Sequence, residues 1–143
     1  MGLAESTPFR HLNRIELIMI RHVFVYGTLR PGDVRWHFLE PFVVDGGMAD
    51  SVPGQLFDTG FDYPAAVFNG HGTILGHTFA LLEESTARAL AVLDEVEDVV
   101  GGEYSRVTVR TGRGLEAWAY SYGSGLDLTP IPSGDWLQHR PLP

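Results

Sequence analysis

A chain of 143 residues that is 44% hydrophobic is long enough for one domain with a sizeable core, and the absence of cysteine excludes disulfides, thiolate metal sites and a cysteine nucleophile while suiting a reducing compartment. A formal charge of −8 excludes the basic footprint that nucleic acid or an anionic membrane surface requires. No apolar run approaches the ~20 residues that span a bilayer, and Met1–Ile20 carries Glu5, Arg14 and Glu16 without a clean apolar core, so it does not read as a signal peptide and a cytoplasmic protein is expected.

The first eighteen residues show neither period nor motif, and Met19 stands just ahead of the first strand. Residues 1–18 are therefore expected to be an N-terminal extension and residues 19–143 a single domain. Val23–Tyr26 is β-favouring throughout and runs into Gly27, and Pro31-Gly32 closes the stretch, which gives a buried strand feeding a tight loop. Such a loop leaves N–H groups near Thr28 and Leu29 without ladder partners, and consecutive free N–H groups form a concave anion site. The same stretch also reads as a strand that simply ends in a turn.

Trp36, Phe38 and Leu39 suggest a short helix or turn ending before Pro41, because proline disfavours helix in its predecessor. Phe42–Val44 and Gln55–Phe57 read as short strands separated by the breakers Gly46-Gly47 and Pro53-Gly54. Asp62–Ala66 reads as a bend, and Thr73–Leu82 as a mostly apolar strand in which Gly76 marks a bulge or a close approach. The principal helix begins near Ser85 or Thr86, either of which can cap it, and runs through Glu97. Tyr104–Thr111 and Leu115–Tyr122 follow as a hairpin joined by Gly112-Arg113-Gly114. Alternation puts Tyr104, Arg106 and Thr108 on one face of its first strand and Trp118, Tyr120 and Tyr122 on one face of its second. That second row reads as packing or as a ligand wall. In the proline-rich tail, Trp136 is expected to be buried. The pattern predicts an α+β domain: a small mixed, partly closed β-barrel-like sheet with one principal helix.

The helix end carries the most chemistry. At about 100° per residue Leu90 and Leu93 share a face and Glu97 falls between them, whereas Glu95 lies on the far side, and Asp94 and Asp98 near the boundary look like solvated charges. A carboxylate on the core face costs free energy unless it is paired, hydrogen-bonded or raised in pKa. Three readings follow: Glu97 is partnered by Arg106 or Tyr104 from the next strand, the helix frays before it, or it is a general base. Elsewhere the six histidines are scattered with no i,i+4 pair and no HExxH, so no metal site is expected. Ser124 between two glycines is not a nucleophile elbow, and P-loop and dinucleotide fingerprints are absent.

Taken together, Val-Phe-Val-Tyr26-Gly27-Thr28-Leu29-Arg-Pro-Gly, Tyr63-Pro64-Ala65, Leu93-Asp94-Glu95-Val96-Glu97, Tyr104-Ser-Arg106, Ala-Trp-Ala-Tyr120 and Ser133-Gly-Asp-Trp136 resemble, in order and spacing, the gamma-glutamylcyclotransferase-like (AIG2-like) family over roughly Val23 to Trp136. The resemblance implies a small mixed barrel-like fold and an enzyme that converts a gamma-glutamyl compound into 5-oxoproline and a free amine, with no metal or cofactor. It also implies roles: Glu97 as the catalytic acid/base, Tyr26, Gly27, Thr28 and Leu29 as the substrate-cradling loop, and Tyr120 as a strand aromatic near the pocket. Tyr104 and Arg106 join these as candidate substrate-binding residues. The extended motifs of the glutathione-specific branch are missing. The implied substrates are therefore small gamma-glutamyl amines, gamma-glutamyl amino acids, or a gamma-glutamyl protecting group removed during biosynthesis. The rival reading is a non-catalytic module that keeps the pocket for a carboxylate-bearing metabolite. The two part on whether Glu97 shares an open cavity with Gly27–Leu29 or is locked against Arg106.

Overall fold

A computed structural model describes residues 20–101, 104–123 and 126–140, with 98–101 described as helical backbone only. In chain order the elements are β1 (His22–Val25), α1 (Trp36–Leu39), β2 (Met48–Pro53), β3 (Gln55–Asp58), β4 (Pro64–Val67), β5 (Thr73–Ala80), α2 (Thr86–Gly101), β6 (Tyr104–Arg110), β7 (Glu116–Tyr122), β8 (Thr129–Ile131) and α3 (Trp136–His139). The strands form a five-stranded sheet in the order β2-β5-β1-β7-β6 and a three-stranded sheet in the order β4-β3-β8. β1 is central, antiparallel to β5 and parallel to β7, with Val23 opposite Trp118.

The unbroken apolar run of β1 follows from this position, because both faces of the strand are covered. Val23 and Val25 enter a cluster with Leu29, Leu39, Phe79, Leu90, Leu93, Trp118 and Tyr120. Phe24 and Tyr26 enter a second cluster with Leu56 and Ala66 from the small sheet and Ile131 and Trp136 from the C-terminal segment. β7 obeys the same alternation: Trp118 and Tyr120 fill the first cluster, while the small Ala117 and Ala119 face the second. Burying Val23 and Val25 on one side of this segment and Phe24 and Tyr26 on the other supplies several kcal/mol by area alone.

Several elements differ from the sequence expectations. Phe42 ends a 3-10 turn over Glu40–Phe42, seeded by Pro41, and Val43 makes a single bridge to Leu81, so Phe42–Val44 is not a strand. β2 was not anticipated: Met-Ala-Asp-Ser-Val-Pro has no β pattern, and its strand form comes from a six-residue ladder on β5. The bend predicted at Asp62–Ala66 ends at Tyr63, after which β4 pairs with β3. α2 continues past Glu97 to Gly101, and Thr86 donates its hydroxyl to the Leu82 carbonyl instead of accepting from a helix amide. The described strands form no closed barrel. The larger sheet curls so that the β6–β7 turn reaches the opposite edge strand, Gly112 N–H donating to Ser51 O at 2.8 Å and Arg113 Nε to Ala49 O at 2.6 Å.

Candidate active site

At the end of β1 the chain leaves the sheet and turns. Arg30 N–H donates to Gly27 O at 3.1 Å and Arg35 N–H to Thr28 O at 2.9 Å, which fixes the loop against the segment leading into α1. The amides of Gly27, Thr28 and Leu29 themselves donate to no acceptor among the described residues, and Thr28 and Leu29 are buried. Buried, unpaired N–H groups in succession are donors held ready for an acceptor.

α2 delivers the carboxyl group. Ala89, Leu90, Leu93 and Val96 are buried on its inner face, and Glu97, one turn beyond Leu93, is carried on that face to the mouth of the β1 loop. Glu97 lines one cavity together with Phe24 to Leu29, Tyr63, Pro64 and Tyr120. The cavity encloses about 380 Å³, part of it open to solvent. Desolvation pushes the Glu97 carboxyl up to about 7, against the opposing pull of the Arg35 guanidinium. Burial, with the Glu97 charge adding to it, raises the phenols of Tyr26, Tyr63, Tyr104 and Tyr120. The carboxyl is thus surrounded by neutral hydroxyls.

Tyr26, Gly27, Thr28, Leu29, Tyr120 and Glu97 are brought together. Two candidates stand outside the cavity lining. Arg106 donates from Nε to Asp94 Oδ1 at 2.8 Å and lies over the Trp118 ring at 4.2 Å. Tyr104 donates its hydroxyl to Pro64 O at 2.7 Å and so braces the cavity wall from behind. Asp94, read from the sequence as a solvated charge, accepts from Arg106 and, on the same oxygen, from Tyr120 Oη at 2.6 Å. It precedes Glu97 by three residues, and i,i+3 neighbours share a helix side; that spacing was the available signal. Tyr26 Oη in turn donates to the Tyr120 carbonyl at 2.6 Å. Asp94 therefore occupies the cation that would otherwise be the natural partner of Glu97.

Two further residues stand at the site and were not named as site residues from the sequence. Tyr63 lines the cavity, although its stretch had read as a bend. Arg35 reaches the site from the loop before α1, its guanidinium 5.9 Å from the Tyr63 ring centroid. Nothing in its sequence neighbourhood points to it, since only the fold of that loop brings it beside Tyr63.

The family model described as "Gamma-glutamyl cyclotransferase, AIG2-like" matches residues 23–138. The chain belongs to this family. A Vibrio cholerae relative, provisionally named a gamma-glutamylcyclotransferase, is 40% identical over 117 residues, covering 81% of this chain and 95% of the relative. The gamma-glutamylcyclotransferase family protein ytfP of Citrobacter rodentium is 37% identical over 117 residues, 80% of this chain and 94% of that protein. The gamma-L-glutamyl-butirosin B gamma-glutamyl cyclotransferase of Niallia circulans is 28% identical over 131 residues, 86% and 80% respectively. Among solved structures, a Pyrococcus horikoshii protein superposes with a TM-score of 0.65 at 27% identity, over 84% of this chain and 92% of that one. This gamma-glutamylcyclotransferase-like chain accordingly has the fold of its family and is an enzyme of that class. Among the described residues no helix is long and apolar enough to cross a membrane, and no three His, Cys, Asp or Glu side chains gather as a metal would need.

Proposed function

We propose that the protein cyclises a small gamma-glutamyl amine or gamma-glutamyl amino acid to 5-oxoproline with release of the amine, Glu97 serving as general acid and base. One observation carries this reading: Glu97 shares an open cavity with the unpaired amides of Gly27–Leu29 while Arg106 is held by Asp94. A locked Glu97–Arg106 pair would have removed the base; the pairing of Arg106 with Asp94 instead supports the reading. With its pKa raised to about 7, the carboxylate takes a proton from the substrate's α-ammonium group. The freed amine attacks the side-chain carbonyl carbon, and its remaining excess proton passes through Glu97 to the departing nitrogen as the original C–N bond breaks. The Gly27–Leu29 amides supply donors for the substrate's α-carboxylate or the developing oxyanion. Holding the glutamyl chain folded brings amine and carbonyl within reach, which substitutes for high concentration in a five-membered ring closure.

The Niallia relative, named for a gamma-glutamyl-butirosin substrate, favours a second version of the same chemistry, in which a gamma-glutamyl protecting group is removed from a larger amine. The test is 5-oxoproline release from a panel of gamma-glutamyl amines, amino acids and larger conjugates by wild type and Glu97→Gln. Loss of about 10²–10⁴-fold in kcat, with the circular dichroism spectrum retained, is the expected result. Equal rates remove Glu97 from the mechanism. No release across the panel moves the reading to a non-catalytic binding module.

A further inference from the structure

Arg35 is placed as no simple structural arginine would be. Its Nη1 is buried and finds no hydrogen-bond acceptor among the described residues. Among the described residues its Nη2 is offered only the Asp62 carboxylate, at 3.6 Å, beyond hydrogen-bond length, and the Asp62 side chain is 62% exposed. An exposed ion pair at that distance contributes little, so most of the guanidinium's donor capacity is unspent. Its position is equally specific. Tyr63 lines the cavity and the Arg35 guanidinium lies 5.9 Å from its ring, while the neighbouring Asp62 faces solvent. The arginine therefore stands behind the Tyr63 wall of the site, near enough to Glu97 to oppose the rise in its pKa, while the Gly27–Leu29 amides and Glu97 line the cavity itself.

Among the cavity-lining residues Glu97 is the one that carries a formal charge, in a protein of net charge −8. A substrate with a second negative charge meets repulsion unless a cation is provided where that charge sits. On the reading above, the glutamyl half lies against the loop amides and Glu97, so the departing amine points outward, toward Arg35. We propose that Arg35 is a specificity-determining residue that binds a carboxylate on the leaving amine and thereby selects gamma-glutamyl amino acids over gamma-glutamyl amines without that group. Guanidinium is suited to this task, since its planar fork meets a carboxylate with two parallel bonds. The proposal rests on the cyclotransfer reading.

The test uses a pair of substrates differing only by the carboxylate, gamma-glutamyl-alanine and gamma-glutamyl-ethylamine, with 5-oxoproline release measured for wild type, Arg35→Gln and Arg35→Lys. Wild type is expected to favour the alanine compound by about 10-fold or more in kcat/KM, carried by KM, which is the usual scale for a charge-assisted hydrogen-bonded pair. Arg35→Gln is expected to bring the ratio close to one, and Arg35→Lys to restore part of it because the charge remains and the fork does not. A wild type that does not discriminate overturns the proposal. So does an equal loss on both substrates in Arg35→Gln, which would assign Arg35 to the glutamyl half or to the frame of the site. If wild type releases 5-oxoproline from no gamma-glutamyl compound at all, the cyclotransfer reading falls and the proposal falls with it. Turnover without discrimination overturns the proposal alone.

Discussion

On the proposed mechanism, one proton on Glu97 couples catalysis to folding. Its carboxyl is raised from an ordinary value of 4.5 to about 7, chiefly by desolvation. Between those values the folded protein binds a proton that the unfolded chain has released. The residue's contribution to stability is therefore most favourable at low pH and declines as pH climbs from about 4.5 to about 7. Glu97→Gln is expected to abolish that decline, gaining on wild type by up to about 3 kcal/mol above pH 7 and by little below pH 4.5. Thermal melts at pH 5 and pH 8 measure the difference; a variant no better than wild type at pH 8 would mean the carboxyl is not desolvated. In kinetics the proposed mechanism reverses the sign, because it requires the ionised form as base: kcat/KM should rise with pH to a plateau above an apparent pKa near 7. Glu97 was legible in the sequence because an inward position can be computed from Leu90 and Leu93. Arg35 was not, because its role depends on where a loop of no regular period places it.

The exit of β1 packs directly against the entrance of β4, and glycine is what permits it. A Cβ on Gly27 would stand 2.7 Å from both Cδ and Cγ of Pro64, so Gly27→Ala must displace Pro64 together with Tyr63, the neighbouring wall. Pro64 is also the residue whose carbonyl Tyr104 holds, so the displacement works against a fixed brace. A loss of about 10²-fold in kcat/KM is expected for this substitution, the scale of a misplacement near 1 Å, against a modest change in melting temperature. A loss of stability with unaltered turnover per folded molecule would show that the loop tolerates the shift. Elements with a strong period were readable in advance: the hairpin faces, α2 and the buried β1. β2 was not, because a strand formed by the demand of its neighbour's backbone leaves no mark in its own side chains. Tyr104 and Arg106 share the face predicted for them, yet alternation gives a face and not a partner, and Asp94 from another element decided where Arg106 went.

At the scale of the whole molecule the C-terminal segment is structural. β8 adds the third strand of the small sheet beside β3, Asp135 caps α3 by accepting from the Leu137 and Gln138 amides, and Trp136 is 2% exposed between the two sheets. Trp136→Ala is expected to cost about 3–5 kcal/mol, a large share of the stability of a small domain, and urea unfolding measures it; a change under about 1 kcal/mol would mean the sheets do not depend on this ring. Its burial was foreseeable from a lone tryptophan in a proline-rich tail, while the pairing of that tail with β3 was not, since three residues carry too little pattern. β2 and β6 end the larger sheet, and the hydrogen bond from Gly112 occupies a carbonyl of β2. An uncovered edge is a template on which another chain can add a strand, and here the protein's own hairpin tip sits on that template. A Cβ at Gly112 would meet Ser51 Oγ at 2.5 Å, so that either the Ser51 hydroxyl or the tip must shift. Protection of the β2 edge by this single turn predicts that loosening it appears first as light scattering at temperatures where the domain is still folded.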